Sequence, residues 1–108
     1  MKRQLLIELD RHTDDYLRDL AANDGAGYRD WMNQKATELL EREGEALPGS
    51  ETIVDKKAGR DIAITLELGE GYLFIAEKKA AEQGIRRNDY VSGLLYEYAM
   101  DMAMGGAL

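Results

Sequence analysis

Adjacent carboxylates such as Asp14 and Asp15 are the residue type that general acid–base chemistry uses in pairs. Their setting points elsewhere: the pair falls on an exposed first helical turn, where negative charge favours the helix dipole. His12 is the sole imidazole, and there is no cysteine. Thiol nucleophiles, disulfides, thiolate zinc sites and the usual His/Cys metal clusters are removed together. No glycine-rich phosphate loop and no nucleophile elbow is present. The sequence therefore predicts a protein that is not an enzyme and carries neither metal nor cofactor. His12 reads as a surface residue ahead of a helix, and Trp31, Tyr90 and Tyr98 sit at helical core spacing, which suits packing better than base stacking.

The elements that position side chains must come from 108 residues, enough for one modest core or for two half-size units that share one. With 44% hydrophobic and 32% charged residues the composition is globular. No apolar run approaches the roughly 20 residues that span a bilayer. Met1-Lys2-Arg3 leads straight into a strand-like stretch without a signal-peptide apolar region, so a cytoplasmic protein with no membrane contact is expected.

Apolar residues alternate at Leu5, Ile7 and Leu9 within Gln4 to Leu9, and again at Ile62, Ile64, Leu66 and Leu68 within Arg60 to Leu68. Each predicts a half-buried strand. A helical stretch ending at glycine follows each strand, then a longer helix: Thr13 to Asp24, Gly25 and Arg29 to Glu43, against Gly71 to Gln83, Gly84 and Asn88 to Met104. Sliding the sequence on itself by 59 residues aligns positions 3–44 with 62–103 without a gap. Only seven of those 42 pairs are identical, among them Glu8/Glu67, Gly25/Gly84 and Asp30/Asp89. The apolar register carries more weight: Leu5/Ile64, Ile7/Leu66, Tyr16/Ile75, Trp31/Tyr90, Met32/Val91 and Ala36/Leu95 all match in character.

Gly44 to Gly59, with the only proline at Pro48, has no sustained periodicity and reads as a linker. At about 3.3 Å per residue it spans up to roughly 50 Å, enough to bring the second strand beside the first. Each unit alone leaves one strand without a hydrogen-bonding neighbour and two short helices with uncovered apolar sides. Antiparallel pairing of the strands satisfies both needs. The prediction is a mostly α fold with one two-stranded antiparallel β-ribbon, built as two units (1–44 and 61–108) joined by a linker over 45–60 and sharing one core.

An alternating strand, a helix closing on Gly25 or Gly84, and a second helix a few residues later resemble the ribbon-helix-helix superfamily, typified by the Arc and methionine repressors and by CopG-like regulators. The resemblance covers nearly all of the chain outside the linker and tail, with both halves on one polypeptide as a tandem pseudo-dimer. It implies a regulator that binds duplex DNA by inserting the ribbon into the major groove, acting as a repressor, an antitoxin-like autoregulator or an accessory factor. A prokaryotic, phage or plasmid origin is implied with it.

In that family, outward side chains of the ribbon read base edges, and backbone amides at the start of the second helix hold phosphates. With Leu5, Ile7 and Leu9 inward, the outward set is Gln4, Leu6 and Glu8 in one strand and Ala63, Thr65 and Glu67 in the other. The resemblance implies Gln4 pairing with adenine, Thr65 contacting a base or a methyl group, Glu8 and Glu67 accepting from cytosine N4, and Leu6 and Ala63 touching thymine methyls. The implied phosphate contacts are Tyr28, Arg29 and Asp30 in one half and Arg86, Arg87 and Asn88 in the other, with Asn88 as a helix N-cap. Lys2, Arg3 and Arg60 flank the strands, and Lys56 and Lys57 lie in the linker. Divergence between Gln4-Leu6-Glu8 and Ala63-Thr65-Glu67 suits a non-palindromic site.

Charge departs from the family's habit. The six outward positions hold two carboxylates and no cation, residues 1–54 have a net charge of −5, and residues 55–108 have −2. An acidic domain meets DNA with a repulsive long-range field that only local basic clusters offset. The alternative is an acidic protein–protein interaction module on the same scaffold that has lost DNA binding. The final helix is apolar on more than one side, and Leu94, Tyr98 and Met102 are candidates for self-association or a protein partner.

Overall fold

Alternation over Lys2–Leu9 (β1) and Ile62–Gly69 (β2) produces the two strands of a computed structural model that describes residues 1–54 and 59–105. Lys56 and Lys57 lie outside the described residues. Four helices complete the chain in the order β1, α1 (Arg11–Asn23), α2 (Tyr28–Glu45), β2, α3 (Glu70–Gln83), α4 (Arg87–Ala103). The fold is mostly helical with one antiparallel two-stranded sheet. No described helix is long and apolar enough to cross a membrane.

The strands pair from Lys2 opposite Gly69 to Leu9 opposite Ile62, with Leu6 facing Thr65 at the middle of the outward side. Leu5, Ile7, Leu9, Leu66 and Leu68 are buried on the other side, whereas Ile62 and Ile64, also read as inward, are half-buried. Side chains alternate across a strand, so one buried row commits the opposite row to the surface. The core continues through Leu17, Met32, Leu40, Tyr90 and Leu95, all at or below 1% exposure. Trp31 packs at its margin with its ring centroid 6.5 Å from that of Tyr98, its indole N–H donating to Asp24 Oδ2 at 2.7 Å.

Helix ends follow local chemistry. Helix α1 begins at Arg11, two residues earlier than the sequence predicts, because the Asp10 carboxylate accepts from both the amide and the hydroxyl of Thr13. Burial opposes ionisation of Asp10, but these Thr13 hydrogen bonds hold its pKa below the ordinary value. Helix α3 closes on Gly84 in the left-handed region at φ 68°, where glycine avoids a Cβ penalty. Asp14 departs from the sequence reading: it is buried, accepting from Arg18 Nε at 2.9 Å and from the Tyr28 hydroxyl at 2.7 Å. That cluster fastens α1 to the start of α2, and only Asp15 stays exposed.

The segment after α2 returns across α3 and α4 and is tied at Thr52. Buried Glu43 accepts from the Thr52 amide at 2.7 Å and hydroxyl at 2.8 Å. Gln83 donates to the Thr52 carbonyl and accepts from the Val54 amide. Val54 then seats against Gly93, where any Cβ would overlap its Cγ1 atom. The segment thus covers part of the extra apolar side of α4. Leu94 is 3% exposed and belongs to the core, which corrects its assignment as a partner-facing residue. Tyr98 is half-buried against Trp31 and Lys35, so of the three candidates only Met102 is open to solvent.

Candidate nucleic-acid interface

Register and alternation together place Gln4, Leu6, Glu8, Ala63, Thr65 and Glu67 on the side of the ribbon away from the core. Gln4 stands opposite Glu67, Leu6 opposite Thr65, and Glu8 opposite Ala63. Leu6 is 53% exposed in the centre, an apolar side chain outside the hydrophobic core of the described residues. Lys2 continues this row beside Gly69. Arg3 does not: it has the parity of Leu5 and its guanidinium pairs with Glu70 Oε1 at 3.0 Å, at the first turn of α3.

A two-stranded ribbon has two open backbone edges, and the helices close both at one point each. Asn88 Nδ2 donates to the Leu6 carbonyl at 2.6 Å, and Asn33 Oδ1 accepts from the Glu67 amide at 2.9 Å. The N-cap of α4 is Arg86 rather than Asn88, because the Asn88 side chain, one position inside the helix start, is committed to the ribbon. The α2 N-cap is Gly27. Neither Gly27 nor Arg86 makes a side-chain cap hydrogen bond, and both have extended backbone. The first amides of α2 and α4 therefore have no side-chain acceptor at their caps.

The basic residues are more heavily paired than the sequence suggests. Arg86 holds Asp89 with Nε at 3.1 Å and Nη2 at 3.4 Å. That hydrogen bond and the nearby charge raise the Arg86 pKa above its ordinary value. Arg60 bridges Glu8 at 3.2 Å and Asp89 at 3.5 Å. Tyr28 is not free to meet a phosphate through its hydroxyl, which Asp14 engages; burial first, and then this hydrogen bond, raise its pKa. Arg18 stacks over its ring at 4.2 Å. Of the cations that the resemblance implies as phosphate contacts, Lys2, Arg29 and Arg87 carry no ion pair with another described residue.

Asn33 and Asp89 join this surface beyond the residues the sequence points to, and Arg60, which the sequence marks only as a cation flanking a strand, is bound to it through Glu8 and Asp89. Asp89 was legible, since Arg86 and Asp89 stand three apart at a helix start, within reach of one another. Asn33 left no signal, because its partner is a backbone amide 34 residues away. A groove of about 430 Å³ lies beside the β2 edge, lined by Lys2, Asp30, Asn33 and Glu67 among others, so this flank also mixes charges. Among the described residues no group of His, Cys, Asp and Glu could hold a metal ion. Comparison with protein-family models, with curated protein sequences and with solved structures finds no match, so the character of this surface rests on its own geometry.

Proposed function

We propose that this protein is a duplex DNA-binding regulator of the ribbon-helix-helix type, with two diverged β-α-α units on one chain sharing a core. The observation that carries the reading is the outward ribbon face, with Gln4, Leu6, Glu8, Ala63, Thr65 and Glu67 on one two-stranded surface. A major groove about 12 Å wide admits such a ribbon, whose strands lie about 4.8 Å apart. Leu6 and Thr65, which the 59-residue shift equates, face each other in the register. A pseudo-twofold axis through that pair exchanges the Gln4·Glu67 and Glu8·Ala63 rows. The two sides therefore differ in chemistry and suit a non-palindromic site, as a repressor, autoregulator or accessory factor would use.

Titration of mixed-sequence duplex DNA by fluorescence anisotropy at two salt concentrations tests the reading. The expected result is binding that weakens steeply with salt, with a log–log slope of about −3 if Lys2, Arg29 and Arg87 each neutralise one phosphate. Arg87→Ala then reduces the slope by about one. Absence of binding at low salt with micromolar protein overturns it. One observation favours a second reading, an acidic module for a basic protein partner: Arg3, Arg60 and Arg86 already hold carboxylates in a chain of net charge −7. Loss of duplex binding together with capture of a basic partner by the ribbon face selects that reading.

A further inference from the structure

Arg60 precedes β2, and its side chain crosses to the outward face of the ribbon, where Nη1 lies 3.2 Å from Glu8 Oε1 and Nη2 lies 3.5 Å from Asp89 Oδ1. The guanidinium thus spans the gap between the ribbon surface and the first turn of α4 and remains 57% exposed. Its backbone is pinned on both sides. Gly59 lies so close to Asp10 that an added Cβ would stand 2.6 Å from the Asp10 Cβ, and Asp61 Oδ2 accepts from the Arg11 amide at 3.2 Å.

We propose that Arg60 is a specificity-determining residue that reads a guanine on one flank of the DNA site, with Glu8 and Asp89 as the residues that position it. This rests on the DNA-binding reading above and replaces Glu8 as a direct reader of cytosine. Charge decides between a base and a phosphate. Arg60, Arg86, Glu8 and Asp89 sum to zero, so a phosphate placed on Arg60 meets two carboxylates within the same few ångströms. A guanine edge offers O6 and N7 as neutral acceptors and adds no third negative charge. The planar fork retains N–H groups beyond the two engaged, and carboxylates that orient it reduce the side-chain entropy lost on contact. Under the 59-residue shift the counterpart of Arg60 is Met1, whose thioether side chain carries no N–H fork to read a base edge. Guanine preference therefore belongs to the Glu8·Ala63 flank alone.

Sequencing the duplexes that the full-length protein retains from a randomised pool tests this, with Arg60→Ala, Arg60→Lys and Glu8→Gln selected in parallel and their circular dichroism and melting compared with the parent. The expected parent consensus has guanine on one side of its centre, favoured by about five- to hundredfold over other bases. In Arg60→Ala and Arg60→Lys that preference falls to near unity at that position only, while Arg60→Lys keeps the parent's salt slope. Glu8→Gln weakens the preference in part. If Arg60→Ala instead weakens all sequences equally and reduces the salt slope by about one, the contact is to phosphate and the proposal is overturned. A parent consensus without one-sided guanine also overturns it and leaves the DNA-binding reading standing. Failure of every variant and the parent to retain any duplex overturns both.

Discussion

The side-chain amide of Asn88 donates to the main-chain carbonyl of Leu6 at 2.6 Å, so the first turn of α4 is latched to the strand whose outward residues include Leu6 itself. The contact does two things at once. It satisfies an edge acceptor of a sheet that has two strands among the described residues, and it fixes the distance between the ribbon face and the amides of the α4 N-terminus.

Replacing Asn88 with Ala removes that latch without enlarging the core. The expected cost is about 1 kcal/mol, which denaturant unfolding reads as a lower midpoint with unchanged m. Asn88→Asp places an acceptor against the Leu6 carbonyl and is the more destabilising of the two. Equal stability of Asn88→Ala and the parent refutes the latch.

Asp10 ties the end of β1 to α1, and its pKa lies below the ordinary 3.8. A depressed carboxylate contributes stability that is complete above the unfolded pKa and disappears as pH falls through the folded one. Asp10→Ala is therefore less stable than the parent by about 1 kcal/mol at pH 7. The ionised carboxylate's share of this difference is lost as the pH is lowered below 3.8 towards the folded value. Urea melts of both proteins at several pH values measure it. A difference that stays constant throughout that range assigns the effect to something other than the carboxylate.

Val54 occupies the space above Gly93, and Glu43 holds Thr52 two residues earlier. Gly93→Ala gains helix propensity but drives a methyl into Val54, so a net loss of about 1–3 kcal/mol is expected. The same substitution in a Val54→Ala background recovers part of the loss. Amide exchange at Thr52 and Val54 accelerates in the single variant, because expelling Val54 loosens the segment from α4.

Strand and helix positions were legible because burial periodicity is local. Leu5, Ile7 and Leu9 on one parity placed Gln4, Leu6 and Glu8 on the other with no knowledge of what covers them. Helix starts were less so. The sequence suggests Asn88 as a cap, but its amide has a competing acceptor in a strand 82 residues away. Leu94 read as an outward apolar residue for the same reason: its cover comes from elsewhere in the tertiary fold.

What the amino-acid order determined by itself is the set of elements and the outward row of the ribbon, since the two-residue strand period and the helical period act through neighbours in the chain. What the tertiary structure alone decided is the charge state of the surface beside that row. Glu8 comes from a strand, Arg60 from the stretch leading into the other strand, and Arg86 and Asp89 from a helix start, and they meet only once β1 lies beside β2 and α4 closes over them. Coulomb attraction depends on a few ångströms of separation, which sequence spacing does not set for residues on different elements.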